Sequence, residues 1–386
     1  MDDLIIVGGG PAGSAAARTA GALGLRVRLL DKAVFPRDKP CGGMLTQRTL
    51  SQLQQPIPTE LRQRDVHGVR LHFGGSVVEV RGPQRLGLLV SRREWDAYML
   101  DQAVEHGARV HMGEAVQSYE ERSQFVHVMG KRGVYQGRYV IIAEGAQGYL
   151  KYGLQSRPKS HQLAVCVTTH IPASQRIIDA YIQQALDIHL GVARGGYGWV
   201  FPHEGYFAVG VGGLASHLSR PRQTMERFLQ HCGFTGGHDL QRHLVPAGGV
   251  RRRVQSSRVL LAGDAAGFVD PLCGEGIPYA VRSGQLAAEC VHELLHGRRP
   301  KEVVSYTARC QQAFGSHLRQ ALYASNVLHR WPNVFLRLLS SSEAAVHRYL
   351  GVLRGESTYL QFLSWLVTQV PGLAMKRRRS NGMMSQ

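Results

Sequence analysis

Cys41 sits in the stretch KPCGGML, Lys39 to Leu45, between a proline and two glycines. A thiol is a weak acid, a nucleophile and a redox group. Pro40 is unsuited to a helix interior, and Gly42 and Gly43 lack the side chains that would hold a backbone away from a neighbouring surface. The stretch therefore reads as a loop that can press a thiol against something flat. Two readings of Cys41 stand: a proton-donating or redox group, and a small inert side chain in a crowded loop. Far along the chain, Tyr197, Trp199 and Phe201 alternate in GGYGWVFPHEGYFAVGVGG. Alternate residues of a strand share one face, so these three make an aromatic wall. Pro202 to Gly205 is predicted as a turn, and YFAVGVGG as a returning strand. The wall either packs a core or faces a ligand, and its ring faces attract apolar chains and positive charge.

The elements around these residues suggest what the flat partner is. LIIV, Leu4 to Val7, is a short apolar run suited to a buried parallel strand. Gly8, Gly10 and Gly13 then satisfy G-x-G-x-x-G, Ala12 to Leu23 is predicted as a helix, and RVRLLDK as a second strand ending at Asp31. Gly8 permits the tight turn, Gly10 lets the backbone approach a pyrophosphate, and Gly13 lets helix and strand pack closely. The helix start offers free N–H groups and a positive dipole end, and Asp31 can accept hydrogen bonds from a ribose. This motif alone serves FAD and NAD equally. A second stretch, RVLLAGDAAGFVDPLCGEGIPYAVRSG, is predicted as a strand over Val259 to Ala262, then Gly263 and Asp264, then a helix over Ile277 to Leu295. An acid at the strand end can hold ribityl hydroxyls. The helix start at Gly274 to Ile277 would favour negative charge on a flavin ring. With one end of the chain on the pyrophosphate and the other on the flavin half, the pair of motifs favours FAD.

At this point the sequence resembles a known group. GDAAGFVDPLCGEGIPYAVRSG looks like the second FAD motif of the flavoproteins that include aromatic hydroxylases, flavin halogenases and geranylgeranyl reductases. VSRREWDAYMLDQAVEHGARV resembles a further segment of that group, which implies a place for Arg92 near the FAD. YVIIAEGAQGYLKYGL resembles its third motif, with Ala143-Glu144-Gly145 where A-D-G is usual. PCGGML and the Y-x-W-x-F-P segment at Tyr197 to Pro202 are similar to the geranylgeranyl reductases, as is the C-terminal run from Val334. The cofactor contacts that follow are Gly8, Gly10, Pro11, Ala12, Gly13, Asp31 and Lys32 at the first motif. Cys41, Gly42 and Arg92 join them from the middle, and Gly263, Asp264, Gly274, Gly276 and Ile277 from the second motif. Tyr197, Trp199, Phe201 and Pro202 are expected at the substrate, with Cys41, Tyr197 and Trp199 catalytic.

The resemblance implies an FAD-dependent oxidoreductase that reduces C=C bonds of an isoprenoid or prenyl lipid. A flavin monooxygenase of an apolar or aromatic substrate is the alternative. The stretch VHGVRLHFGGSVVEVRG contains no lysine, which counts against the halogenases. The electron donor is open between NAD(P)H and ferredoxin, since no second full dinucleotide motif is present.

The expected fold is α/β, a Rossmann-like FAD-binding domain interleaved with an antiparallel β-sheet substrate domain, plus C-terminal helices. The FAD-binding domain is assigned 1–60, 88–158 and 255–300, the substrate domain 61–87 and 159–254, and the helical region 301–386. A hydrophobic content of 44% supports a sizeable core. The six cysteines form no C-x-x-C and no zinc spacing, so reduced thiols, no metal and a cytoplasmic setting are expected. No run is apolar and long enough for a membrane span, and MDDLIIVGGGPAG does not read as a signal peptide. Lys and Arg total 46 against 28 Asp and Glu. Nucleic acid is not expected, because the aromatics sit in apolar patterns rather than among the arginines. Lys376 to Arg379 follow an apolar stretch, and either form a solvated tail or touch an anionic membrane.

Overall fold

The computed structural model describes residues 1–248, 253–297, 303–340 and 342–369. The basic cluster at 376–379 lies outside them.

The first apolar run forms the strand Asp2–Val7, central to a parallel sheet. It lies between Val27–Asp31 and the long strand Val134–Ile142. Arg109–Met112 extends one edge, and Val259–Leu261 pairs with the far end of Val134–Ile142. Two antiparallel strands, Val116–Glu121 and Val126–Gly130, form a ribbon on the near end of that long strand. Leu4, Ile5 and Ile6 are fully buried, as expected for a strand covered on both faces.

Helices Pro11–Ala22 and Ile277–Leu295 pack side by side on this sheet. Small residues allow the close crossing: a Cβ on Gly284 would lie 2.1 Å from the Ala12 carbonyl oxygen. The two motifs farthest apart in sequence are thereby brought to one edge of one sheet.

A second, seven-stranded sheet runs Gln241–Pro246, Leu163–Pro172, Tyr206–Leu214, Gly196–Pro202, Ala185–Leu190, Gly68–Phe73, Ser76–Arg81. It is antiparallel except where Ala185–Leu190 meets Gly68–Phe73 in parallel. That pair joins segments more than a hundred residues apart in the chain, so no hairpin imposes a direction on it. Helix Pro221–His231 covers one face with Met225, Phe228 and Leu229. The other face looks towards the C-terminal helices Ser316–Arg330, Pro332–Ser340, Glu343–Arg354 and Tyr359–Thr368. A small third sheet, Met44–Thr46, Gly87–Leu89 and Arg64–Val66, lies between the two. Its first strand begins directly after Gly43, which anchors the thiol loop. Among the described residues no helix is long and apolar enough to cross a membrane.

Candidate active site

One cavity of about 1290 Å³ runs between the two large sheets. At one end it is lined by Gly8, Gly10, Pro11, Ala12, Asp31 and Lys32. In the middle stand Cys41, Gly42, Arg92 and Asp264, with Gly274, Gly276 and Ile277. Tyr197, Trp199 and Phe201 follow, and then an aliphatic region from Leu71, Ile188, Leu336, Leu339 and Leu350.

The glycines of the first motif divide by what surrounds them. Gly8 has a φ of +105°, and a Cβ there would meet the Ala143 carbonyl oxygen at 2.4 Å. A Cβ on Gly13 would lie 1.7 Å from the Gly8 oxygen. These two hold the turn and the helix together, and Gly13 does not reach the cavity. Gly10 is different. Its Cβ would meet only Arg37 Nη2, at 3.6 Å, so space is left open beside it. Asp31 is buried, and its carboxylate accepts the Gly9 N–H at 2.6 Å and the Ala33 N–H at 2.7 Å.

At the second motif, Gly263 is held by its N–H donating to Ser283 Oγ at 2.9 Å. The Asp264 side chain lines the cavity, and its carboxyl accepts no hydrogen bond from a described residue, while its backbone carbonyl accepts the Gly267 N–H at 3.0 Å. Burial raises its pKa, against the opposing pull of Lys39, Arg92 and Lys151. Arg92 makes a two-pronged pair with Asp96, at 2.8 and 2.9 Å. Burial opposes its charge, but Asp96 and the neighbouring Cys41 outweigh this and hold it charged. In the third motif Glu144 turns its carboxylate onto the Lys151 N–H at 3.1 Å. Burial raises its pKa, and that backbone contact partly offsets the rise.

The thiol loop is pressed against the aromatic wall. A Cβ on Gly42 would lie 2.7 Å from the Phe201 ring and 3.3 Å from Trp199 Nε1. The Gly43 N–H points at Cys41 Sγ, 3.3 Å away. Trp199 lies 5.8 Å from Tyr197 and 6.3 Å from Phe201 between ring centres. Its indole has room because Gly210 stands directly opposite on the next strand, where a Cβ would meet Trp199 Cζ2 at 2.3 Å. The Tyr197 hydroxyl donates to the Cys273 carbonyl and ties the wall to the second motif. Pro202 is a correction to the substrate set: strand alternation turns it to the face opposite the three rings, and it does not line the cavity. All six cysteines are free thiols.

Several site residues carry no motif. Arg37 stands beside Gly10, with one guanidinium nitrogen buried and without a partner. Lys39 Nζ lies 2.9 Å from His243 Nε2. Burial lowers the Lys39 pKa to about 8, with Asp264 opposing the fall. His203, expected only as a turn residue, is buried, and its Nε2–H donates to the Gly42 carbonyl at 2.9 Å. Its Nδ1 faces the Gln63 side-chain amide and the Tyr206 hydroxyl, the latter at 3.1 Å. Burial lowers the His203 pKa to about 4, which keeps the ring neutral in this role. Both Glu275 carboxylate oxygens are buried without a hydrogen bond, and Arg48 is 3.8 Å away. Burial raises the Glu275 pKa to about 7, against the pull of Arg48.

The model of a family described as an FAD binding domain matches residues 2–321. A menaquinone reductase of Mycobacterium tuberculosis is 36% identical over 74% of this chain and 76% of its own length. A digeranylgeranylglycerophospholipid reductase of Methanothermobacter thermautotrophicus is 30% identical over 84% of this chain and 87% of its own. The chain belongs to the geranylgeranyl reductase family of FAD-dependent oxidoreductases. Two solved structures share the fold of this reductase. A geranylgeranyl bacteriochlorophyll reductase-like protein from Thermoplasma acidophilum has a TM-score of 0.76 at 20% identity, covering 96% of this chain and 99% of its own. The flavin-dependent brominase Bmp2 has a TM-score of 0.71 at 17% identity, covering 97% and 99%.

FAD is the cofactor of this reductase. The residues present fit it. The open face at Gly10, the Arg37 guanidinium beside it, which pairs with Asp96 through Nη2 at 3.1 Å and keeps a buried Nη1 without a partner, and the free Asp264 carboxyl are what a pyrophosphate and a polyol chain require.

Proposed function

We propose that this protein saturates C=C bonds in the isoprenoid chain of a prenyl lipid. The observation that carries the reading is the continuity of the cavity. It takes in the dinucleotide residues, Cys41 and the aromatic wall, and a region lined mainly by apolar side chains, in one continuous space. A small aromatic substrate would not need that length. The relatives named for menaquinone and for digeranylgeranylglycerophospholipid support a prenylated substrate.

Reduction of an isolated C=C needs a hydride on one carbon and a proton on the other. The bound flavin, once reduced, supplies the hydride. Cys41, on the loop pressed against the wall, supplies the proton and recovers one from water. Trp199 and Tyr197 present ring faces to the positive charge that develops on the branched carbon. Tyr197 cannot turn away, because its hydroxyl is held by the Cys273 carbonyl. His203 holds the Gly42 carbonyl and so sets the height of the thiol above the site. Arg37, Lys39, Arg92 and Asp264 line the same space and would hold the polar half of the cofactor.

The test is anaerobic. FAD-loaded protein is reduced with dithionite, excess reductant is removed, and menaquinone or a geranylgeranyl lipid is added. Flavin reoxidation with a lipid mass gain of two hydrogens supports the reading. Product that forms only with oxygen would replace it with a monooxygenase.

A further inference from the structure

The cavity opens to solvent at its aliphatic end. Arg194, His217, Pro332 and Asn333 both line it and are exposed. Three separate elements meet there: the turn between strands Ala185–Leu190 and Gly196–Pro202, the segment after Leu214, and the junction of helices Ser316–Arg330 and Pro332–Ser340. A Cβ on Gly195 would lie 3.0 Å from His329 Nε2 and 3.2 Å from His217 Nδ1, so the three close into a rim.

Two properties of this rim are unusual. First, it carries large apolar side chains that no described residue covers. Trp331 is 58% exposed and Val334 is 47% exposed. Helix Pro332–Ser340 buries Phe335, Leu338 and Leu339, so its apolar face is already satisfied without Val334, or Trp331 at the junction just before it. An exposed tryptophan beside a lipid-sized opening has the amphipathic character of residues that settle at a membrane–water interface. Second, the rim elements carry charge of one sign. The chain has no Asp or Glu between Asp187 and Glu204, between Glu204 and Glu226, or between Glu302 and Glu343. Arg194, Arg220, Arg330 and Arg337, all exposed, fall within those intervals. A formal charge of +18 spread evenly would not leave acids out of all three.

We infer that this rim is the surface by which the protein rests on an anionic bilayer, with Trp331 and Val334 in the headgroup layer and the prenyl lipid passing through the opening beside them. The inference deepens the proposed reduction of a prenyl lipid and rests on it for the identity of the lipid. Charge complementarity and continuity with the cavity select the bilayer as the occupant.

The test uses full-length, FAD-loaded protein. Flotation is measured with vesicles of phosphatidylcholine alone and of phosphatidylcholine mixed with phosphatidylglycerol. Binding to the mixed vesicles that weakens with salt is expected. Trp95 and Trp199 are buried and Trp365 is half-buried on helix Tyr359–Thr368, so the largest part of the blue shift of emission on binding should come from Trp331 and be lost in Trp331→Phe. Trp331→Ser with Val334→Ser should lower the partition coefficient about tenfold, and Arg330→Gln about fivefold. Both variants should keep their flavin. Parent protein that does not float, or a double variant that floats like the parent, overturns the inference. So does a dimer in solution that the double variant converts to monomer, since a second copy then covers the rim. Assay of prenyl-lipid reduction in detergent separates the two readings. A parent that floats but reduces no prenyl lipid sinks the function and leaves the surface standing.

Discussion

Glu275→Gln should make the protein more stable at alkaline pH and change little in acid. The parent carboxyl is buried, its single cation, Arg48, stands 3.8 Å away, too far for a hydrogen bond, and Arg48 and the neighbouring Thr46 hydroxyl offset only part of the cost of burial. Arg48 is also engaged elsewhere, donating to the Tyr279 hydroxyl at 2.6 Å and to the Val352 carbonyl at 3.0 Å. The protonated form is therefore the one the fold accommodates, and the pKa rises from 4.5 to about 7. A folded value above the unfolded one means that the contribution is full below about 4.5 and is lost as pH rises through about 7. At about 1.4 kcal/mol per tenfold change in ionisation, the loss amounts to roughly 3 kcal/mol by pH 8. Glutamine cannot ionise and escapes it. The stability difference between variant and parent should thus grow by roughly 3 kcal/mol between pH 5 and pH 8.5, which is several degrees in Tm. Any constant offset from exchanging an acid for an amide cancels in that slope. Thermal unfolding of FAD-loaded protein, followed by far-UV circular dichroism at closely spaced pH values, reads it directly. A difference that stays flat across this range would refute the reasoning and place the carboxylate in a partnered setting.

Three further outcomes follow from the geometry. Gly10→Val should fold and be colourless, because its side chain meets only the tip of Arg37 yet fills the pyrophosphate space, whereas Gly13→Ala should be destabilised by collision with the Gly8 carbonyl; flavin absorbance and circular dichroism separate the two. Cys41→Ser should keep its FAD and its rate of flavin reduction but slow the lipid-dependent reoxidation by about 100-fold or more, measured by stopped flow, and a loss below about tenfold would leave the thiol a positioning group. Gly42→Ala should slow the same step by about tenfold by driving a methyl into the Phe201 ring, and Phe201→Leu in that background should restore part of the rate.

The nucleotide-binding unit was legible because its signals are local. A buried strand, a glycine turn, a small-residue helix and a terminal acid follow one another within about thirty positions, and each constrains the next. Helix Ile277–Leu295 was likewise readable from its own pattern of small and apolar residues. What stayed hidden depends on contacts across the chain. Lys39 meets His243 across 204 positions, and His203 reaches Gly42 across 161. Neither histidine stands in a motif, and in sequence His203 is one polar residue in a turn. Arg37 stands in no motif, and its place beside Gly10 follows from the path of the loop. Glu275 lay inside a recognised motif. Its chemistry comes from burial and from Arg48 and Thr46, more than two hundred positions away in the chain, which no local pattern encodes. Pro202 was misplaced by treating a segment as a unit where strand alternation divides it.

Trp199 lies flat over Gly210, with 2.3 Å to the position a Cβ would take. Across descendants of this sequence the two positions cannot drift separately. A methyl at 210 evicts the indole, and a smaller residue at 199 leaves a hollow above a bare backbone. The permitted route between alternatives is a paired exchange, small for large on one strand and large for small on its neighbour. Such an exchange would shift bulk sideways along one face of the second sheet, from strand Gly196–Pro202 to strand Tyr206–Leu214, and reshape the wall. Substrate choice in this reductase could therefore be retuned by a coupled change at 199 and 210 that leaves Cys41 and every residue around the cofactor as they are.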